Sequence, residues 1–424
     1  MALERRRQAE NGITVYDYLN SSLNSFYISL FVKAGSMYES ARDNGITHFL
    51  EHAVIRNVNA LMEGGLYAML DECGIEFNAS TYSEMVQFYV HGAKEKFQIG
   101  ARIISMVLSP IILTPSDVRA ECERIKAEIR ENDERGSLSN FTAAIVHEGT
   151  SLSRPIIGTA SGVSKISARR LEEYRRATFT RENLFVYVTG AYGDSELDSL
   201  VRLIGESEVL SSESRENMAP VPPFFGKRDG RVQVKNGDFT MMRFTFDMDM
   251  SKISVPESDL IYDLLLGGYN SRFFIEMSEK RGLFYDISGS TERYSNIGSL
   301  SFSFEVRAGS VYEATELLLS LLSQFKEEIL PEEKMMKAGY VDNAGLLLDD
   351  PRELNFTFAY DNHILCEGYR TLDERAERYR AVTPERLRLA ARELFKKENL
   401  TLTVKGKRKS IDTRRLEEMI NKFA

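Results

Sequence analysis

Residues 45–52 read Gly-Ile-Thr-His-Phe-Leu-Glu-His, so that His48 and His52 stand four positions apart with Glu51 between them. Only 5 of the 424 residues are histidine, which makes two in one octet unusual. Positions i and i+4 of a helix share a face, and two imidazoles there can bind one metal ion with a carboxylate beside them. The order reverses the commoner His-Glu-x-x-His zinc motif. The stretch therefore predicts a metal-binding helix.

Length and composition limit the classes of protein to consider. A chain of 424 residues exceeds what one core usually supports, which favours two or three domains. The 43% hydrophobic content is sufficient for real cores, while the net charge of −9 gives nucleic-acid binding no electrostatic support. No apolar run approaches the roughly 18 residues of a membrane span. We expect no nucleic-acid partner and no membrane span.

The cellular compartment is predicted from the amino terminus and the cysteines. Residues 1–7 are basic but lead into polar residues, without the apolar middle section of a secretory signal. The three cysteines, Cys73, Cys122 and Cys366, are far apart and odd in number, which is typical of a reducing compartment. The sequence therefore predicts a cytoplasmic protein.

A polar segment divides the chain into halves of similar length. Residues 207–223 are rich in Ser, Glu and Asn and contain three prolines, as linkers between domains often are. The predicted domains are residues 1–206, which carry the metal site, and residues 224–424.

The two halves repeat one order of elements: a strand, an amphipathic helix, and the start of a long helix. In the first half the ranges are 85–90, 94–108 and 114–117, and in the second they are 300–306, 311–330 and 331–333. Such repetition indicates an internal duplication. Each half is predicted to be α+β, with long helices packed on an antiparallel-rich sheet. The alternative is that two unrelated α/β halves share this order by coincidence.

A catalytic zinc usually keeps three protein ligands, so the two histidines require a third. The helix predicted after Thr114 carries four candidates: Glu121, Glu123, Glu128 and Glu131. Glu121, Ile125 and Glu128 share one face, and Glu128 as ligand with Glu121 accepting an imidazole N–H forms a coherent arrangement. The alternative is an ordinary solvated, Glu-rich face, and spacing alone does not choose Glu128 over its neighbours.

Residues 45–52 resemble the zinc-binding helix of the pitrilysin and mitochondrial processing peptidase family, the inverted-motif zinc metallopeptidases or inverzincins. In that family the third ligand ends a Glu-x6-Glu pair that lies at a similar distance after the second histidine. Here Glu121 and Glu128 form such a pair, and Glu128 follows His52 by 76 residues. The resemblance implies one Zn2+ per chain, bound by His48, His52 and Glu128, with Glu121 supporting a histidine. It extends over nearly the whole chain, through segments 11–15, 33–39, 77–81, 154–159 and 267–274.

The family's chemistry is peptide-bond hydrolysis, so the resemblance implies a zinc metalloendopeptidase. Zinc activates a water molecule and polarises the scissile carbonyl, and Glu51 would take the proton of that water and pass it to the leaving amine. Family substrates pair as an extra strand with the segment matched by 77–81, which implies substrate binding by Asn78 and Ala79. An ordinary edge strand is the alternative. The remaining histidines are interpreted as non-catalytic: His91, His147 and His363.

Full-length relatives close two halves into a clamshell, and this chain resembles one half, the short bacterial type. A second subunit would complete the chamber, with residues 224–424 as a chamber wall. The family's far half supplies an Arg and a Tyr seven positions apart. Here Tyr285 is present but Ser278 stands at the Arg position, and Arg281 is not an automatic substitute. The resemblance thus favours a heterodimer with a related subunit that carries the Arg–Tyr pair, with a homodimer as the alternative.

Small bacterial members of this type are often partnered in this way, and some process precursor peptides, for example by removing leader segments. The expected substrates are peptides or precursor and leader peptides. Some relatives keep the fold as non-catalytic structural or assembly subunits whose zinc site has decayed. Retention of all four residues of the motif, His48, Glu51, His52 and Glu128, counts against that alternative.

Overall fold

The structure is a computed structural model that describes residues 3–134, 137–211, 228, 230–294 and 297–423. Residue contacts divide it into two compact units. The first unit comprises Met1–Gly136, Gly149–Val221 and Gly345–Leu372, and the second comprises Ser137–Glu148, Pro222–Ala344 and Asp373–Ala424. Most of the predicted linker, from residue 212 onward, lies outside the described residues. The predicted domain boundaries therefore stay a prediction. By their contacts, Ser137–Glu148 of the first half belongs to the second unit, and Gly345–Leu372 of the second half belongs to the first unit.

Eleven strands and fourteen α-helices build the described parts of the two units. The strands are β1 (Arg5–Gln8), β2 (Thr14–Leu19), β3 (Ser25–Val32), β4 (Glu76–Thr81), β5 (Val86–Ala93), β6 (Leu184–Gly190), β7 (Arg231–Asn236), β8 (Thr240–Met248), β9 (Ile287–Arg293), β10 (Gly298–Val306) and β11 (Leu400–Gly406). The helices are α1 (Ile46–Leu61), α2 (Leu66–Cys73), α3 (Phe97–Met106), α4 (Pro115–Glu134), α5 (Leu138–Val146), α6 (Ala160–Val163), α7 (Ala168–Thr178), α8 (Asp194–Gly205), α9 (Val255–Leu266), α10 (Val311–Glu327), α11 (Pro351–His363), α12 (Leu372–Arg380), α13 (Pro384–Leu394) and α14 (Thr413–Ile420). Among the described helices, none has the length and apolarity that crossing a membrane requires.

The sheet of the first unit has the order β1-β2-β6-β3-β5-β4. Strands β2 and β6 are parallel, and the other neighbours are antiparallel. Strand β3 is buried along almost its whole length because both sheet faces are covered, with α11 packed on β3 and β6. Strand β4 lies at the edge, so the predicted edge strand over residues 77–81 is confirmed.

The sheet of the second unit repeats this topology. Its order is β7-β11-β8-β10-β9, in which β7 and β11 are parallel and the other neighbours are antiparallel. Strand for strand it corresponds to β2-β6-β3-β5-β4, and α10 follows β10 as α3 follows β5. The predicted α+β fold, with one architecture used twice, is confirmed.

The prediction that a long helix begins at Pro331 is wrong. Short 3-10 turns follow instead, over Glu332–Lys334, Lys337–Gly339 and Ala344–Leu348. Met336 adopts a left-handed conformation with φ of 52°, and glycines 339 and 345 add poor helix formers. Most side chains here are exposed, so no buried apolar stripe stabilises a helix. The helix start predicted at 114–117 is confirmed, since α4 begins at Pro115.

Candidate metal centre

The helix that carries the motif begins at a buried carboxylate. Gly45 precedes α1 with φ of 91°, and its backbone N–H donates to Oε2 of Glu39 over 2.8 Å. The backbone N–H of Thr47 donates to Oε1 of the same side chain over 2.9 Å. The first N–H groups of a helix have no intrahelical acceptor and carry partial positive charge. Glu39 therefore stabilises the start of α1, although its burial raises the pKa of the carboxyl group.

Two glycines bring the backbone of a distant loop against this helix start. A Cβ on Gly45 would lie 2.8 Å from Cα of Gly158, closer than side-chain carbons approach a backbone. Nη2 of Arg154 donates to the carbonyl oxygen of Glu39 over 2.6 Å, and Nδ2 of Asn44 donates to the carbonyl oxygen of Pro155 over 3.0 Å. The segments 33–39 and 154–159, singled out in the sequence, thus meet at the start of α1.

Helix α4 packs against α1 and presents the predicted glutamate face to it. Ile125 of α4 is fully buried in the core of the first unit. Glu121 is only 1% exposed, and Nδ1 of His52 donates to its Oε2 over 3.3 Å. Because isoleucine and both glutamates share this face, packing of Ile125 turns the carboxylates toward the histidines. Glu121 is thus not on a solvated surface, whereas the side chain of Glu128 on the same face is 40% exposed.

His48, His52 and Glu128 come together as one cluster, with their ligand atoms all within 4.8 Å of one another. Oε2 of Glu128 lies 3.7 Å from Nε2 of His48 and 3.6 Å from Nε2 of His52. Ligands about 2.0–2.2 Å from a tetrahedral zinc ion are separated from each other by about 3.4 Å, so the donor set fits zinc in both chemistry and spacing. No other group of three or more His, Cys, Asp or Glu side chains meets the same criterion within the described residues.

The surroundings of the two histidines shift their pKa values in opposite directions. Burial, with the charge of His52, lowers the pKa of His48 to about 4. Burial also opposes protonation of His52, but hydrogen bonds to Glu121 and Glu128 outweigh it and raise the pKa to about 9. For Glu121, burial is outweighed by hydrogen bonds from His52 and Arg56, which hold the pKa of the carboxyl group at about 2. The hydrogen bond with His52 likewise lowers the pKa of Glu128. The centre thus presents ionised carboxylates to a cation.

Glu51 lies on α1 beside the cluster without belonging to it. Its side chain is buried, and burial raises the pKa of the carboxyl group. The hydroxyl of Thr81, the last residue of β4, donates to Oε2 of Glu51. This contact places the carboxylate at the end of the edge strand, which the sequence alone did not predict.

The predicted substrate-binding residues lie in two different units. Asn78 is exposed on β4, its own side-chain oxygen accepts the N–H of Ala79 over 2.9 Å, and Ala79 is buried. Tyr285 belongs to the second unit and is 98% exposed. Ser278 lies in a π-helix over Phe274–Glu279, and its hydroxyl donates to the carbonyl oxygen of Phe284 over 3.0 Å. The predicted role of Tyr285 stays a prediction.

Arg281 lies in the turn after that π-helix. Its Nη1 is 3.7 Å from Oε1 of Glu313. Three further side chains of the centre escaped sequence reasoning: Glu39, Arg56 and Thr81. Glu39 ends the segment 33–39, but none of the three has a spacing to the motif that would reveal its contact.

Comparison with known proteins agrees with this fold and centre. A family model described as insulinase (peptidase family M16) matches residues 19–160, and one described as peptidase M16 inactive domain matches residues 165–338. The chain belongs to the M16 peptidase family, the insulinase and pitrilysin family, which confirms the predicted resemblance.

Relatives in the same family bear names that refer to zinc. An uncharacterized zinc protease of Streptomyces coelicolor is 24% identical over 98% of this chain and 92% of its own length. An uncharacterized zinc protease of Bacillus subtilis is 20% identical over 92% of this chain and 95% of its own length.

Solved structures of similar fold cover nearly all of the chain. A protease from Helicobacter pylori has a TM-score of 0.83 at 15% identity, covering 96% of this chain and 100% of that one. The periplasmic protease PqqL of Escherichia coli has a TM-score of 0.78 at 16% identity, covering 99% of this chain but only 50% of that one. The fold of this chain thus corresponds to half of the longer protein.

Proposed function

We propose that the protein is a zinc metalloendopeptidase that hydrolyses peptides, including precursor or leader peptides, in a chamber completed by a second subunit. One observation carries the proposal. The cluster of His48, His52 and Glu128 lies beside Glu51, and Glu51 is hydrogen-bonded to the end of an edge strand through Thr81. The residues proposed as metal ligands, the proposed base and the strand proposed to bind peptide therefore lie together within the first unit.

His48, His52 and Glu128 would hold one zinc ion per chain. When bound, zinc supplies Lewis acidity, which activates water and polarises a carbonyl group. Glu121 would keep the imidazole of His52 oriented by accepting a hydrogen bond from the Nδ1–H group, which leaves Nε2 facing Glu128.

Glu51 would serve as general base and then general acid. Its carboxylate would take a proton from the attacking water and deliver it to the amide nitrogen as the peptide bond breaks. The hydrogen bond from Thr81 holds one carboxylate oxygen, which leaves the other for proton transfer. Burial keeps bulk water from competing for the proton.

The free edge of β4 would bind the substrate as an added strand. Among the described strands β4 pairs only with β5, so its other side offers backbone N–H and C=O groups from the region of Asn78 and Ala79. Main-chain pairing holds an extended peptide with little demand on its side chains. A peptide on this edge would reach Glu51 where the strand ends at Thr81.

A related subunit would complete the enzyme. Ser278 stands at the position where the resemblance expects an arginine, which favours a heterodimer whose partner supplies an Arg–Tyr pair; a homodimer is the alternative. The cytoplasm remains our proposed location, since Cys73, Cys122 and Cys366 are free thiols.

The first experiment is peptide cleavage by the zinc-loaded chain, with Glu51→Gln as the inactive variant and a mixed peptide library as substrate. His91→Gln is the matched control, because His91 is a half-exposed histidine outside the cluster. We expect one zinc ion per chain in all three proteins and, without the partner subunit, only slow cleavage, which Glu51→Gln abolishes and His91→Gln leaves unchanged. Cleavage by the chain alone at full rate would refute the heterodimer.

A non-catalytic subunit is the second candidate, favoured by the match of residues 165–338 to the inactive-domain model. Cleavage that survives Glu51→Gln, or a chain that binds no zinc, would sink the peptidase proposal. If the chain binds zinc but does not cleave, it should next be co-purified with a related subunit. Cleavage by that complex supports the peptidase proposal, and a complex that does not cleave supports the structural role.

A further inference from the structure

Arg56 joins the two helices of the metal centre. It lies four residues after His52 on α1, so both side chains point toward α4. Its Nη1 donates to Oε1 of Glu121 over 2.7 Å. Its Nε and Nη2 donate to Oδ1 of Asp117, one turn earlier on α4, over 3.3 and 3.0 Å. One planar guanidinium thus binds two carboxylates at once, which a lysine ammonium does not reproduce.

The two oxygens of Glu121 have different partners. Oε1 accepts from Arg56, and Oε2 accepts from Nδ1 of His52. Fixing one oxygen of a planar carboxylate fixes the other, and a hydrogen bond at Nδ1 determines which nitrogen of the imidazole faces the metal. The orientation of Arg56 is therefore transmitted to the ligand atom of His52 through a single side chain.

A neighbouring cavity gives the carboxylate of Glu121 room to turn away from His52. A cavity of about 370 Å3 borders it on the side of Arg56, and Tyr67, Asp117 and Arg124 also line this cavity. Without Arg56, water in such a cavity would compete for the carboxylate. Asp117 is itself held by the backbone N–H of Thr114 at the start of α4 over 3.0 Å, so the anchor of Arg56 is rigid.

We propose that Arg56 is a positioning residue that sets the metal affinity of the centre by orienting Glu121 against His52. The inference rests on the proposed function, since it assumes that His52 is a metal ligand. Simple attachment of α1 to α4 is the competing role for Arg56, and it would not require Glu121 as intermediary.

The test measures Co2+ binding to the metal-free full chain, by visible absorption and by competition with a chelator, without reference to activity. We expect Arg56→Met to raise the dissociation constant by about tenfold, the lower end of the effect of removing support from a metal ligand, and to change the Co2+ spectrum. Arg124→Met is the matched control. Arg124 also donates to Oε1 of Glu121, over 3.3 Å, but its side chain is 67% exposed, so we expect a change below about twofold.

A double-mutant cycle separates positioning from attachment of the helices. If Arg56 acts through Glu121, adding Arg56→Met to Glu121→Gln changes the dissociation constant by less than about twofold. Wild-type affinity in Arg56→Met, or an equal loss in the Glu121→Gln background, overturns the inference.

Folding is checked by circular dichroism of the metal-free variants. If Arg56→Met does not fold, Arg56→Lys replaces it, with an expected weakening of about threefold because lysine reaches one carboxylate at a time. Wild-type affinity in Arg56→Lys overturns the inference. A wild-type chain that binds no Co2+ or Zn2+ overturns the proposed function as well, whereas a wild-type chain that binds them beside unaffected variants overturns only the role of Arg56.

Discussion

Gly45→Ala tests how the start of the metal-binding helix is built. Gly45 has φ of 91°, and an added Cβ would lie 2.8 Å from Cα of Gly158 and 3.0 Å from the carbonyl oxygen of Ile157. A left-handed conformation costs an L-residue about 1–2 kcal/mol. Forcing an extra carbon against the packed backbone costs about 1–3 kcal/mol more. We therefore expect the free energy of unfolding of the first unit to fall by about 2–5 kcal/mol.

Gly74→Ala is the matched control for backbone strain alone. Gly74 also has a positive φ, 63°, and belongs to the same unit, but a Cβ there meets nothing within 4 Å. It should lose only the first contribution, about 1–2 kcal/mol. In thermal unfolding of the metal-free chain, we expect the midpoint of Gly45→Ala to lie about 5 °C below that of Gly74→Ala.

The two variants should also differ in metal binding. His48 lies in the first turn of α1, so displacement of the helix start moves a ligand. Zinc affinity should fall about tenfold in Gly45→Ala and stay unchanged in Gly74→Ala. Equal losses of stability in the two variants, or an unchanged zinc affinity in Gly45→Ala, would refute the role assigned to the contact between Gly45 and Gly158.

Three further predictions concern single side chains. Glu128→Gln should weaken zinc binding at least about 100-fold, because a neutral amide replaces an anionic ligand, and isothermal titration with Zn2+ measures the loss. Thr81→Val should lower kcat with little change in KM, since it removes only the hydrogen bond to Glu51, and steady-state kinetics on one cleaved peptide separates the two constants. Burial, with the charge of Arg228, lowers the pKa of His147 to about 4, so the folded state binds fewer protons than the unfolded state and stability is lost as the pH falls from about 6.5 to 4. Between pH 7 and pH 5, the free energy of unfolding of His147→Gln should therefore rise by about 2 kcal/mol relative to that of the wild type, as measured by urea unfolding. A difference between the two proteins that does not change with pH would contradict this burial effect.

Local periodicity was sufficient for much of the fold. The helix of residues 45–52, the edge strand at 77–81 and the shared strand–helix order of the two halves follow from spacings within single elements, and the structure has them all. The helix predicted at Pro331 shows the limit of this approach. Its opening residues are those of a helix start, but the left-handed Met336 and a mostly exposed surface leave it without support.

The candidate site divides in the same way. Spacing within one helix shows that His48 and His52 share a face. Spacing within another shows the same for Glu121 and Glu128, so both pairs could be predicted from the sequence. Which of four glutamates meets the histidines depends on how α4 packs on α1, and there the resemblance to a known family supplied what spacing did not.

Glu39, Arg56 and Thr81 became visible only once the chain was folded. Each contacts the centre through a side chain whose partner lies on another element, over separations of 8 to 65 residues. A repeating pattern reports which residues share one helix face or one strand face. It carries no information on which faces meet, because that depends on the packing of the whole unit.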